Sequence, residues 1–165
     1  MTHHFTLPEL TFSQEATRRG INNEPSKQIL VELAHTREKL EEVRSLLGYP
    51  MHVNSGYRCE ALERILCAKD YAAWCKRHGH ALTEVSWRIY FMTKAHPQGF
   101  AVDFTCAGYG TPAEVVKAIA ASGIKFDQLI EEGTWVHISF SPLMRQRVLY
   151  AKFGPDGTPT YAKTN

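Results

Sequence analysis

The sequence predicts an α+β fold with a mainly antiparallel sheet flanked by helices. Two observations carry this prediction. Helix starts marked by capping hydroxyls precede apolar positions at helical spacing in the first half of the chain. Short runs of alternating apolar and polar residues, paired around glycine turns, dominate the second half.

The elements follow in order. Thr6-Leu7-Pro8-Glu9 and Thr11-Phe12-Ser13-Gln14 each place a capping hydroxyl three residues before Glu or Gln, so two short helices are expected, the second ending at Gly20. A longer helix is expected over about 25–47. Ile29, Leu33, Leu40, Val43 and Leu47 fall on one face, and Gly48 and Pro50 stop it. Met51 to Ser55 alternates as a strand, and Glu60 to Arg77 reads as helical. His78 to Thr93 is polar and aromatic without a clean period, which predicts a partly ordered excursion. Phe100 to Phe104 is a strand with Phe100, Val102 and Phe104 on one face and Ala101 and Asp103 on the other. Thr111-Pro112-Ala113-Glu114 starts a helix that ends at Gly123. Phe126–Glu131 and Trp135–Phe140 are strands around a turn at Gly133, and Arg147–Phe153 is the last strand. The tail from Gly154 to Asn165 is expected as a surface hairpin or a frayed end.

With 165 residues, 44% hydrophobic and 22% charged, the chain has the size and composition of one globular domain, so a single domain over 1–165 is expected. A net charge of +2 and the lack of a basic run argue against a nucleic-acid partner. No apolar stretch is long enough to span a bilayer. Met1 to Leu10 does not read as a secretory signal. Cys59, Cys67, Cys75 and Cys106 form no C-x-x-C pair, so reduced, mostly buried thiols are expected. Cys67, Cys75, His78 and His80 are a conceivable second metal group, but their spacing matches no common structural zinc pattern.

The sharpest chemical signal is His96-x6-Asp103. Pro97 and Gly99 make a turn, and Asp103 follows inside an alternating strand, where an inward carboxylate must be paired or bind a cation. His137 lies on the same kind of polar, half-buried strand face. Two histidines and one carboxylate suit zinc and leave an open position for water. Each residue also has an ordinary reading: a histidine alone is more often a satisfied or exposed side chain, and Asp103 could cap the turn or pair with Arg58.

Four blocks occur in order: Ser55-Gly56-Tyr57-Arg58, His96-Pro97-Gln98-Gly99-Phe100-Ala101-Val102-Asp103, Phe126-Asp127-Gln128-Leu129-Ile130 and Trp135-Val136-His137-Ile138-Ser139. Together they resemble the zinc D-Ala-D-Ala peptidases of the hedgehog/DD-peptidase fold. The opening, Phe5 to Thr11 with Ala16 to Ile21, resembles a branch common in bacteriophages and prophages. The resemblance implies Zn2+ held by His96, Asp103 and His137, and peptidoglycan peptides as substrate. It also implies an acidic base at Glu132, with Glu131 as the alternative, and a substrate-facing cation at Arg58. Asp127 is a further option for the base or a structural residue near the cleft, and Trp135 either walls the pocket or packs in the core. The chain departs from the family pattern at Lys94, where a serine is usual, and in a stretch between Arg58 and His96 that is roughly twenty residues longer than usual. That extra segment, about 67–93, bears on the shape of the cleft.

The implied activity is a D-Ala-D-Ala carboxypeptidase or an endopeptidase such as a phage lysin. A monomer is expected, made in the bacterial cytoplasm and acting on the wall after release or within a virion. The competing readings are a wall-binding or virion structural protein that keeps the fold without catalysis, and an intracellular protein of unrelated activity whose histidines are structural.

Overall fold

The computed structural model describes residues 3–163, so Met1 and Thr2 of the amino-terminal reading and Thr164 and Asn165 of the tail lie outside the described residues. The first helix, α1 (Leu7–Thr11), carries the expected capping box: Thr6 Oγ accepts the Glu9 N–H at 3.2 Å and the Glu9 carboxylate accepts the Thr6 N–H at 3.4 Å. The cap of α2 (Gln14–Arg19) is Ser13, not Thr11, because the Thr11 hydroxyl is spent on the Pro8 carbonyl within α1. Helix α3 (Lys27–Leu47) starts from Ser26 and buries Leu33, Thr36, Leu40, Val43 and Leu47 along one stripe.

The strands β1 (His52–Ser55), β2 (Ala101–Thr105), β3 (Gln128–Glu131), β4 (Val136–Ser139), β5 (Arg147–Phe153) and β6 (Pro159–Lys163) form one sheet in the order β1-β2-β4-β3-β5-β6. All neighbours are antiparallel except β3 and β5. Arg147–Phe153 is not the last strand: the tail, expected as a surface hairpin or a frayed end, supplies a sixth strand, β6, that folds back on β5 and pairs with it. Val102 and Phe104 of β2, Leu129 of β3, and Val136 and Ile138 of β4 lie in one core with α3 and with Val115, Val116 and Ile119 of α7 (Pro112–Ala121). Leu40 is fully buried in that core, so Leu40→Ala would cost about 2–5 kcal/mol. The opposite side of each strand is left for the site.

Between β1 and β2 the structure departs from the sequence reading. The helix expected over Glu60–Arg77 is two helices, α4 (Glu60–Leu66) and α5 (Ala68–His78), joined at Cys67. The excursion expected over His78–Thr93 contains a third, α6 (Glu84–Phe91), whose cap Thr83 accepts the Ser86 N–H at 3.2 Å. Trp87 and Tyr90 pack on aromatic neighbours rather than on the main core, while Val85 and Ile89 are exposed, so apolar residues lie on both sides of the helix and blur its period. Trp87 and Tyr90 are buried against Tyr71, with ring centroids 5.2 Å apart in each pair. The Trp87 indole N–H donates to Glu60 at 2.8 Å and the Tyr90 hydroxyl to Asp70 at 2.6 Å. These contacts form the satellite core that a polar–aromatic composition permits. No helix among the described residues is long and apolar enough to cross a membrane.

Candidate metal centre

Pairing register brings the site together. Ser55, Asp103, His137, Ile130, Leu149 and Lys163 are successive partners across the six strands, so Asp103 and His137 are cross-strand neighbours on the same face. His96 arrives from the other direction, in a 3-10 turn (His96–Gln98) that runs into β2. Gly99 closes that turn at φ +75°, and a side chain there would crowd Ile29 and Leu33 of α3, which explains the glycine between His96 and Asp103.

The three side chains are almost enclosed, at 6%, 7% and 9% exposure for His96, Asp103 and His137. Asp103 Oδ1 lies 3.2 Å from His96 Nε2 and 2.9 Å from His137 Nδ1. One ligand atom from each residue falls within 4.8 Å of the others, and among the described residues this is the one group of three or more His, Cys, Asp or Glu that converges so. Cys67, Cys75, His78 and His80 do not converge. His78 and His80 instead stack on Trp74 at 4.7 and 5.0 Å, and all four cysteines are free thiols.

The surroundings prepare the donors. His96 Nδ1 lies 2.7 Å from the Gly56 carbonyl, so that nitrogen is the N–H donor and Nε2 keeps its lone pair toward Asp103. Gly56 is irreplaceable there, since an added Cβ would sit 2.2 Å from the Leu10 carbonyl oxygen. Burial and the Arg58 charge push the His96 imidazole toward its neutral form, the form that binds metal, against the opposing pull of Asp103. Burial alone would raise the Asp103 carboxyl. The two histidines outweigh it and hold Asp103 well below the usual carboxylate range. A buried anion between two imidazole nitrogens is a donor set that fits zinc.

Arg58 is engaged on every side. Its Nη2 donates to Asp103 Oδ2 at 2.8 Å, its Nε donates to Ser55 Oγ at 3.0 Å, and its Nη1 faces Glu63 Oε2 at 3.5 Å. The pairing with Asp103 weighed as an alternative at the sequence level is thus present, and Arg58 still stands beside the three donors. Glu132 follows β3, where its N–H donates to the Trp135 carbonyl at 3.0 Å. Burial raises its carboxyl above the ordinary value, with the charges of His137, Asp103 and Arg58 also acting on it. Glu131 instead accepts the Gly133 N–H at 3.0 Å within the turn. Trp135 is half-buried at the start of β4. Asp127 is spent structurally: it is buried and bonded to Arg145 through two guanidinium nitrogens, at 2.6 and 2.7 Å.

Sequence reasoning passed over two residues near the site. Glu63 is a fully buried carboxylate on α4. Tyr161 of β6 places its hydroxyl 3.5 Å from Glu132 Oε1, and burial and the Glu132 charge raise its phenol above the usual range. Glu63 gave no signal, because in Glu60-Ala61-Leu62-Glu63-Arg64 it reads as an ordinary solvated helix position. Tyr161 gave no signal, because its approach depends on β6 folding back across the sheet.

No curated protein matches the chain. The family model that does match stops short of the 3-10 turn but includes the Ser55-Gly56-Tyr57-Arg58 block and Glu63. Residues 3–68, about two fifths of the chain, match the family model described as Peptidase M15.

Proposed function

We propose that this protein is a zinc peptidase that hydrolyses peptide bonds in peptidoglycan stem peptides or cross-links. The observation that carries the proposal is the enclosed Asp103 carboxylate with two imidazole nitrogens within 3.2 Å of one oxygen. Such a group is costly to bury in a protein that does not use it. His96, Asp103 and His137 are the three residues that would hold zinc. Bound there, zinc supplies Lewis acidity that polarises the scissile carbonyl and lowers the pKa of water.

The chain's own residues do the rest. Glu132 accepts the proton of the attacking water on its carboxylate and passes it to the leaving amine, a role suited to a carboxyl raised by burial. Glu131, tied to the Gly133 N–H, is oriented into the turn and is the weaker candidate. Arg58, whose charge acts on His96 and Glu132, stabilises negative charge as it develops on the carbonyl oxygen. Trp135 contributes an apolar wall. The 67–93 segment, which lies between Arg58 and His96 in the chain, bears on whether the substrate is a chain end, as for a carboxypeptidase, or a cross-link, as for a phage lysin.

The test is incubation of the zinc-loaded protein with purified peptidoglycan, followed by mass spectrometry of the released fragments. The proposal expects new peptide termini in the stem or cross-link, absent with the His137→Ala protein. Intact peptides after wild-type treatment would instead favour a wall-binding or virion structural protein.

A further inference from the structure

Glu63 presents an anomaly that the proposed chemistry does not use. It lies on α4 at 1% exposure, and a buried carboxylate must be compensated. Its Oε1 accepts the Cys67 thiol at 3.1 Å, and burial together with the Glu63 charge pushes that thiol up to about 12, so it remains a donor. Its Oε2 has no hydrogen-bond partner, and the nearest cation is Arg58 Nη1 at 3.5 Å.

Arg58 therefore spans two buried carboxylates, Glu63 on one side and Asp103 on the other. The division of labour at Asp103 follows from this. Oδ2 is taken by Arg58, and Oδ1 is left facing both histidines. The guanidinium fixes which oxygen is offered to the donor cluster, and Glu63 fixes the guanidinium. The charges point the same way. The Arg58 guanidinium is shared between the Glu63 and Asp103 carboxylates. Without the Glu63 carboxylate the full positive charge falls on Asp103, where it opposes a divalent cation a few ångströms away.

We propose that Glu63 is a positioning residue that acts through Arg58 on Asp103 and thereby strengthens zinc binding. The proposal rests on the metal reading given above. The bland alternative is that Glu63 supports only the packing of α4, and it is separable, because packing alone moves stability and leaves metal affinity where it was.

The experiment measures the zinc Kd of the full chain by competition with a chromophoric chelator, beside the urea midpoint of each protein. Glu63→Gln keeps the side-chain shape and removes the charge, and it is expected to raise the Kd by about tenfold, the low end for a residue that orients a metal ligand. In an Arg58→Gln background the same substitution is expected to move the Kd by less than about twofold, because its route to the metal is gone. Glu63→Asp, which keeps the charge but withdraws it by one methylene, is expected to shift the Kd in the same direction by a smaller factor. This variant answers the question if Glu63→Gln does not fold. A wild-type Kd in either folded Glu63 variant overturns the proposal, as does an undiminished effect in the Arg58→Gln background. A wild-type protein that binds no zinc fails at the first measurement and overturns the metal reading itself.

Discussion

Asp127 and Arg145 form an ion pair whose two halves are unequally buried, and this asymmetry fixes the order of two mutational effects. The Asp127 side chain is 3% exposed and that of Arg145 is 34% exposed. Asp127 accepts the Arg145 backbone N–H at 3.1 Å and its Nε and Nη2 at 2.6 and 2.7 Å. Arg145 in turn sits between Met144 and Gln146, whose φ values of 41° and 54° are left-handed conformations that the surrounding contacts must hold. Arg145→Met strands a carboxylate that cannot reach water, which costs about 3–5 kcal/mol. Asp127→Ala releases a guanidinium that turns into solvent, so the cost is nearer the net value of charge-assisted hydrogen bonds, about 1.5–3 kcal/mol. With a urea slope of about 2 kcal/mol per molar, Arg145→Met should lower the midpoint by about 1.5–2.5 M, and Asp127→Ala by clearly less. The pH dependence has a definite sign. Burial would raise the Asp127 carboxyl, but the Arg145 bonds outweigh it and hold it below its ordinary value. Its contribution to stability is therefore complete above about pH 4 and is lost as pH falls through the depressed folded value. The midpoint difference between wild type and Asp127→Ala should narrow in that acid range. A larger loss in Asp127→Ala than in Arg145→Met would refute the burial argument. An Asp127→Asn protein that is as stable as wild type but inactive would place Asp127 in the chemistry.

Three further outcomes follow from the site. Glu132→Gln should retain zinc and fold but lose about 10²–10⁴-fold in turnover on wall peptides, and Glu131→Gln should stay close to wild type; reversed effects would exchange the two roles. His137→Ala should lose most of its zinc on metal analysis, and the wild type should gain about 2.7 kcal/mol of stability when free zinc is a hundredfold above its Kd; a thermal midpoint indifferent to zinc contradicts the ligand assignment. Gly56→Ala forces a Cβ against the Leu10 carbonyl and displaces the acceptor of His96 Nδ1, so it should destabilise the fold by about 1–3 kcal/mol and weaken zinc binding together; a neutral result would show that α1 can move away freely.

Much of the scaffold was legible because its signals are local. The caps at Thr6 and Thr111, the stripe along α3 and the alternation in β2 and β4 each depend on residues within a few positions of one another. The register of the site was partly legible for the same reason. Alternation put Asp103 and His137 on the faces opposite Val102 and Ile138, and period two leaves no other arrangement once one face is in the core. Helix α6 was not legible, because apolar Val85 and Ile89 lie exposed on the side opposite the buried Trp87 and Tyr90, which erases the contrast on which periodicity relies.

What the sequence by itself determined was the helix caps, the strand faces and a set of three donor-type residues at a turn and on two strands. Only the tertiary structure decided which atoms meet. Asp103 offers one oxygen to the two histidines and the other to Arg58, Glu63 lies behind Arg58, and Glu132 rather than Glu131 comes under the charges of the site. The physical reason is that caps and faces are set by backbone geometry over a few residues. Burial, charge partners and proton affinity are properties of a neighbourhood assembled from α4, β2, β4 and the loops between them, which exists only when the chain has closed around it.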